Sequence, residues 1–405
     1  MLFEKELSAM IIKPKAKGFI CTTAHPTGCA ANIKSAINEI KAHKNGGDKK
    51  LGNVLIIGAS TGYGLASRLV SAFEYTCPTL GIFFERPGTE TRTATAGWYN
   101  SKAFEEEAAA EGLIFESINA DAFSDETKSQ TIEVIKNKMP GGKVDIVIYS
   151  LASPKRNDPR REILWPSCIK PIGESFKGKT IDFHSGVVSE VEVAPATPEE
   201  IEGTVKVMGG EDWLWWIEAL KDAGVLSPSA LTVAFSYLGP EITHAIYKNG
   251  TIGKAKEDME EKAREITKLL SSGGGKAVVS VNKGLVTQAS SAIPVVPLYI
   301  SILYKVMKEK GLHEECTGQM IRLFEKFSAS NSFGWNDILC DIEGRIRVDD
   351  WEMRPDIQAE VLEIWNRINT ENVAGLSDLE GYRRGFFSLF GFGADGVDYD
   401  ADVEV

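Results

Sequence analysis

The chain has 405 residues, 43% apolar and 25% charged, which excludes a disordered polymer, a collagen-like fibre and a coiled-coil rod. Its 45 Lys+Arg against 57 Asp+Glu give a formal charge of −12, a field that repels nucleic acid and anionic membrane. The densest basic run, over 41–50, is short and split by Gly46-Gly47.

The first fifteen residues show neither an apolar signal core nor an Arg/Ser-rich leader pattern. A polar connector follows over 43–48, and then Val54-Leu55-Ile56-Ile57 reads as a parallel strand buried on both faces. A glycine turn leads into a predicted helix over 64–73. The alternation continues with a strand over 79–84, a helix over 102–111 and a strand over 113–118. A helix over 126–138 and a strand over 144–150 follow. This repeat predicts an α/β fold, a Rossmann-type doubly wound parallel sheet. The stretch over 154–202, rich in Pro, Gly and charge, reads as an insertion. Helical character returns over 212–223, strand character over 231–237, helix over 241–270 and strand over 277–281. The apolar stretch over 292–304 carries Pro294 and Pro297 and is too short to cross about 30 Å of hydrocarbon. We read 1–405 as one large domain: a dinucleotide-binding core over 53–152 and 231–310, a lid or substrate insertion over 153–230, and a mainly helical extension over 311–405. Cys21, Cys29, Cys77, Cys168, Cys316 and Cys340 form no C-x-x-C pair, which points to a reduced, cytoplasmic chain. Five histidines without ligand spacing predict no metal site.

The strongest motif is Gly58-Ala59-Ser60-Thr61-Gly62-Tyr63-Gly64, between strand and helix. Its G-x-x-x-G-x-G spacing is the short-chain-dehydrogenase variant of the dinucleotide fingerprint. Residues without Cβ let backbone N–H groups approach a pyrophosphate at a helix N-terminus. Glu85 lies about 20 residues on, where a carboxylate binds ribose hydroxyls and repels a 2′-phosphate, so NADH is expected over NADPH. Arg86 beside it works against that exclusion. Asp121-Ala122 and Ser150-Leu151-Ala152 follow the next strands, at the carboxyl edge where ligands sit.

Hydride transfer needs a group that stabilises the developing oxyanion, and a Tyr near a Lys serves because ammonium charge lowers the phenol pKa. Tyr304 and Lys308 have ketoreductase spacing but lie in an apolar run that reads as core. Tyr247 has Lys254 and Lys256 downstream. On an unbroken helix Lys254 falls on the same face, at about 340°, and Lys256 on the opposite one, at about 180°. Asn249-Gly250 and Gly253 interrupt that helix, so both lysines stay open. Tyr237, at a strand end, points toward the same crevice or is an ordinary buried phenol. Trp213, Trp215 and Trp216 read as a packed helix or as the wall of a substrate channel. Glu211-Asp212 and Asp349-Asp350 read as helix-start carboxylates, and His25 as a local hydrogen-bond partner.

The segments GASTGYG, GWYN (97–100), YSLASP (149–154), VKVMGGEDW (205–213), SYLGPE (236–241), GTIGKAK (250–256) and VNKGLVTQASSAIPVVPLY (281–299) resemble the trans-2-enoyl-CoA reductases, which group with the V-type enoyl-acyl-carrier-protein reductases. The likeness runs from Lys13-Pro14 to Gly396-Val397-Asp398-Tyr399. It implies a monomeric, NADH-dependent enzyme acting on an enoyl-CoA or enoyl-acyl-carrier-protein thioester. By position it makes Tyr247 the proton donor, Lys256 the nicotinamide-ribose ligand and Tyr237 a substrate contact. It assigns cofactor contacts to Gly58, Ala59, Ser60, Thr61, Gly62, Tyr63, Phe84, Glu85, Asp121, Ala122, Leu151, Ala152, Leu285, Val286 and Thr287. In the implied reaction hydride reaches C3, Tyr247 together with Tyr237 hydrogen-bonds the enolate, and Lys256 biases the phenol electrostatically. A ketoreductase using Tyr304/Lys308 and a non-catalytic NAD(H)-binding protein are the rival readings.

Overall fold

Seven parallel strands carry the architecture of the computed structural model, which describes residues 9–43, 51–329 and 335–404. Most of the N-terminal segment and of the 43–48 connector therefore lies outside the described residues. The strands are β1 Val54–Ile57, β2 Thr79–Phe83, β3 Phe115–Asn119, β4 Val144–Tyr149, β5 Leu226–Ser236, β6 Lys276–Val281 and β7 Arg345–Arg347. Their order across the sheet is 3-2-1-4-5-6-7, and the chain's winding reverses between β1 and β4. This is the doubly wound Rossmann arrangement, with a crevice at the carboxyl ends of β1 and β4. β1, β2 and most of β4 are buried, as unbroken apolar runs require when helices cover both faces.

The longer helices are α1 Pro26–His43, α2 Gly62–Phe73, α3 Ala96–Ala110, α4 Asp125–Lys138, α5 Pro198–Met208, α6 Glu211–Asp222, α7 Thr251–Leu270, α8 Val296–Glu309, α9 Cys316–Ala329, α10 Pro355–Arg367 and α11 Leu379–Ser388. Three differences from the sequence reading have clear causes. α3 starts six residues early because Thr95 caps it in extended backbone and Gly97 fits its first turn, where the chain passes against Glu85 and Ser60. β5 starts five residues early, and its pairing with β4 shifts register between Leu226 and Leu231, around Pro228. β7 was not anticipated, because a three-residue edge strand with one buried side chain, Ile346, leaves no periodic signal.

The polar stretch after β4 folds as two antiparallel hairpins, Lys155–Asp158 with Ile163–Pro166 and Phe176–Asp182 with Val187–Val193. α6 packs on the sheet. Trp213 donates its indole N–H to Thr232 on β5 (2.7 Å), and Trp216 donates to the carbonyl of Ala122 (3.1 Å). Trp215 is buried under the Arg156 and Arg160 guanidiniums. All three indoles thus belong to packing, which corrects the channel-wall reading. Asp212 does open α6, but it is also buried in a bond network with Lys128 (2.9 Å) and Tyr149 (3.1 Å). Asp349 and Asp350 begin no helix. They pair with Arg347 and Arg322, tying the turn after β7 to α9. His25 accepts the Gly28 amide on its Nδ1 (3.1 Å) at the start of α1.

Candidate active site

The turn after β1 is shaped by contacts that leave no room for side chains. The amides of Gly58 and Ala59 both donate to the Ile82 carbonyl (2.9 Å each), holding the turn against the end of β2. Gly58 has φ +92°, and a Cβ there would be driven into the carbonyl oxygen of Ser150; one at Gly64 would strike the carbonyl of Gly58. α2 begins at Gly62, and Thr61 gives it no side-chain cap, so its first N–H groups remain available to an anion. Leu151 lies beside Gly58, and the Thr287 methyl lies beside Gly62. Tyr63 donates its hydroxyl to the carbonyl of Lys283 (2.7 Å), joining α2 to the loop after β6. This cradle, with backbone donors where Cβ atoms cannot go, fits a dinucleotide pyrophosphate.

Glu85 stands beside the cradle. Ser60 donates to its Oε1 (2.7 Å), and Asn119 at the end of β3 clamps its backbone amide and carbonyl (2.7 and 2.8 Å). Among the described residues the other carboxylate oxygen has no partner, so it stays free at a fixed position. Arg86 is exposed and forms no ion pair among the described residues. Phe84 is 75% exposed, an aromatic face open beside Glu85. Asp121 caps its own turn, accepting the Phe123 amide on Oδ1 (3.0 Å), and Ala122 is buried against Trp216. Ala152 is exposed. Leu285 and Val286 are buried, with the Val286 amide already donated to the Tyr304 hydroxyl (3.1 Å). Gly58–Tyr63, Glu85, Leu151 and Thr287 thus share one edge, while Phe84 and Ala152 reach outward from it.

Tyr237, directly after β5, and Tyr247 meet edge to face, with ring centroids 5.1 Å apart. Between Tyr247 and Lys256 the chain is not one helix. A short helix, Glu241–His244, ends before Tyr247, and α7 starts afresh at Thr251 with Gly250 as its cap. The half-turn objection to Lys256 therefore lapses, because helical phase does not carry across the break. Lys256 Nζ donates to the carbonyl of Phe235 (2.9 Å), two residues before Tyr237. Phe235 in turn packs on Tyr63 of the cradle. Lys254 points elsewhere: it is exposed and pairs with Glu257 (2.7 Å).

Electrostatically the two groups differ from the expectation. Tyr247 is 7% exposed, and burial pushes its phenol pKa up. No lowering by a neighbouring ammonium offsets this, so the expected electrostatic bias from Lys256 is corrected. Burial also lowers the Lys256 ammonium to about 8. The Tyr247 hydroxyl has no hydrogen-bond partner among the described residues, leaving its proton free for a ligand, and Lys256 keeps N–H donors to spare. Tyr304 is core: its hydroxyl accepts from Val286, and Lys308 pairs with Asp378 (2.6 Å).

The sequence reading missed Glu352. This carboxylate is fully buried, and it accepts from Tyr237 (3.0 Å), Tyr299 (2.6 Å) and the Gly284 amide (2.6 Å). A lone Glu that lies 53 to 115 residues from its partners leaves no trace in spacing or periodicity.

Residues 11–90 match the family model described as the NAD(P)H binding domain of trans-2-enoyl-CoA reductase, and residues 92–327 match its catalytic region. Residues 340–403 match one described as an enoyl reductase FAD binding domain. The residues there do not fit a flavin. Tyr382 and Phe386 are buried in the core, and two clefts along the segment, of 410 and 360 Å³, carry Glu190, Glu371, Asp378 and Glu380, which repel a pyrophosphate. Their cations are engaged: Lys179 donates to the carbonyls of Trp365, Asn366 and Ile368 at the C-terminal end of α10, and Arg383 to those of Phe183 and His184.

The chain is 56% identical over 399 residues to an enoyl-acyl-carrier-protein reductase [NADH] of Coxiella burnetii, covering 98% of this chain and 96% of that one. It is 54% identical over 397 residues to a trans-2-enoyl-CoA reductase [NADH] of Ruminiclostridium cellulolyticum, covering 98% of each. The crystal structure of Treponema denticola trans-2-enoyl-CoA reductase in complex with NAD superposes with a TM-score of 0.92 at 47% identity, over 97% of this chain and 98% of that one. With matches that span nearly its whole length, the chain belongs to the trans-2-enoyl-CoA reductase family.

Proposed function

We propose that this chain reduces the C2–C3 double bond of trans-2-enoyl thioesters, carried on CoA or acyl-carrier protein, with NADH as reductant. One observation carries the reading: a buried phenol whose hydroxyl has no partner among the described residues, Tyr247, packs on Tyr237 just after β5, while the buried Lys256 ammonium bonds the Phe235 carbonyl at the end of that strand, beside the glycine cradle. Bound NADH supplies the hydride that C3 receives. As negative charge reaches the thioester oxygen, the Tyr247 hydroxyl hydrogen-bonds the enolate, and delivery of a proton at C2 completes the saturated acyl thioester. Tyr247 is the proton donor, Lys256 holds the nicotinamide ribose, and Tyr237 packs against the substrate. The cradle residues Gly58–Tyr63 hold the pyrophosphate, Glu85 the adenosine ribose, and Phe84, Asp121, Ala122, Leu151, Ala152, Leu285, Val286 and Thr287 line the cofactor.

We read the chain as acting as a monomer, as its resemblance to the family implies. No helix among the described residues is long and apolar enough to cross a membrane. With its free cysteines, this supports work in the cytoplasm.

The test is the initial rate of NADH oxidation with crotonyl-CoA, with the matching acyl-carrier-protein thioester and with an acetoacetyl thioester. Turnover of the enoyl substrates alone is expected. Binding of NADH without oxidation would favour a nucleotide-binding protein, and preference for the keto substrate a ketoreductase.

Glu85 yields a second expectation. Its fixed carboxylate repels a 2′-phosphate, and Arg86 beside it is free to bind one. Glu85→Gln is expected to lower KM for NADPH by about tenfold while raising that for NADH severalfold. Unchanged NADPH kinetics would remove Glu85 from the cofactor-choosing role.

A further inference from the structure

Glu352 lies outside the segment matched as the catalytic region, on the turn between β7 and α10, yet its carboxylate meets the site. That turn is pinned to the sheet. The amides of Val348 and Asp349 donate to the carbonyl of Val281 at the end of β6 (2.9 and 3.2 Å), and Gln358 Nε2 donates to the carbonyl of Glu352 itself (2.7 Å). The direction of each hydrogen bond on the carboxylate can be assigned. The Gly284 amide can only donate, so Oε2 accepts. Tyr299 already accepts from Gln358 (3.1 Å), so its proton goes to Oε1. Tyr237 shares that same Oε1. Burial pushes the Glu352 carboxyl above its ordinary range, while the Tyr299 hydroxyl, the buried Lys283 ammonium and the Gly284 amide each act the other way and favour the anion.

We infer that Glu352 is a positioning residue: by accepting the proton of Tyr237, it makes that phenol a wall of the site and leaves Tyr247 as the single donor to the substrate oxygen. Two phenols in contact are thereby given different tasks, one by a carboxylate that binds its hydroxyl and the other by the lack of a hydrogen-bond partner among the described residues. Burial and the nearby carboxylate push the Tyr237 phenol well above its ordinary range, in keeping with a proton that is not released. The inference rests on the enoyl-reductase reading above.

Glu352→Gln tests it. The amide oxygen must face the Gly284 N–H, so its NH2 faces Tyr237 and donates to that phenol, whose proton is then free to turn toward substrate. Crotonyl-CoA reduction is compared in the wild type, Tyr247→Phe, Tyr247→Phe/Glu352→Gln and the last with Tyr237→Phe added. The pair Tyr247→Phe/Glu352→Gln is expected to recover about tenfold in kcat over Tyr247→Phe alone, and the added Tyr237→Phe to abolish the recovery. A purely structural Glu352 would only lower activity further. Thermal melts and NADH fluorescence establish that each variant is folded and binds cofactor. Should the Gln variant not fold, Glu352→Asp keeps the charge, retracts the carboxylate by one methylene and frees Tyr237 in the same background. A folded, NADH-binding variant with no gain over Tyr247→Phe overturns the inference. A wild-type chain that fails to oxidise NADH with crotonyl-CoA overturns the enoyl-reductase reading instead.

Discussion

Replacing Tyr247 with Phe is expected to lower kcat for crotonyl-CoA reduction by about 10²–10³-fold, the usual cost of removing a positioned proton donor. KM and NADH affinity should change little, because the ring and its edge-to-face contact with Tyr237 remain. Stability should also be preserved. The lost hydroxyl has no hydrogen-bond partner among the described residues, so no buried donor or acceptor there is left unsatisfied. This combination of lost rate and unchanged melting temperature separates a chemical role from a packing one. Burial raises the phenol's pKa, so the wild-type rate should show no ionisation of Tyr247 below about pH 10. A Tyr247→Phe enzyme within a few-fold of the wild-type rate would remove the residue from the chemistry and return attention to the other phenols.

The second large effect is expected at Lys256, with activity and stability moving in opposite directions. Lys256→Met should cost about 10²-fold or more in kcat/KM, because the ammonium is the cation poised at the end of β5 beside the cradle. The same change should stabilise the ligand-free protein at pH 7. Burial lowers the Lys256 pKa to about 8, against about 10.4 in an unfolded chain. Between those values the unfolded chain binds more protons than the folded one, so stability rises with pH across the window. Below pH 8 both forms are protonated and the folded state carries the whole penalty of a buried charge. Removing that charge is expected to contribute about 1–2 kcal/mol at pH 7, an advantage that shrinks as pH approaches 10.4. Thermal melts of both proteins at pH 7 and pH 10 read this difference. NADH affinity of the wild type should weaken as pH passes 8, while that of Lys256→Met should be flat. A Met variant that melts lower at pH 7 would contradict the burial argument.

The fold and the glycine turn of the candidate site were legible because they rest on local chemistry. A strand buried on both faces must be an unbroken apolar run, and Val54–Ile57 is one. A turn that admits no Cβ must hold glycine, as at Gly58 and Gly64. Such constraints act within a few residues, so order along the chain reveals them, and resemblance to a family could then place Tyr247 and Lys256. Other features depend on which distant segments meet. The restart of α7 at Thr251 sets the direction of Lys256 independently of Tyr247, although residue spacing alone favours Lys254. The rise in the Tyr247 pKa reflects burial by neighbours from several elements, where a nearby lysine in sequence suggested a fall. Glu352 reaches Tyr237 across 115 residues. Asp349 and Asp350 likewise brace strand to helix, though by sequence they read as a helix start. Sequence alone determined the parallel sheet, the glycine cradle and the family, because these follow from what each short segment can bury or admit. Only the tertiary structure decided which phenol keeps a free proton, because that depends on a carboxylate brought to the other phenol by packing.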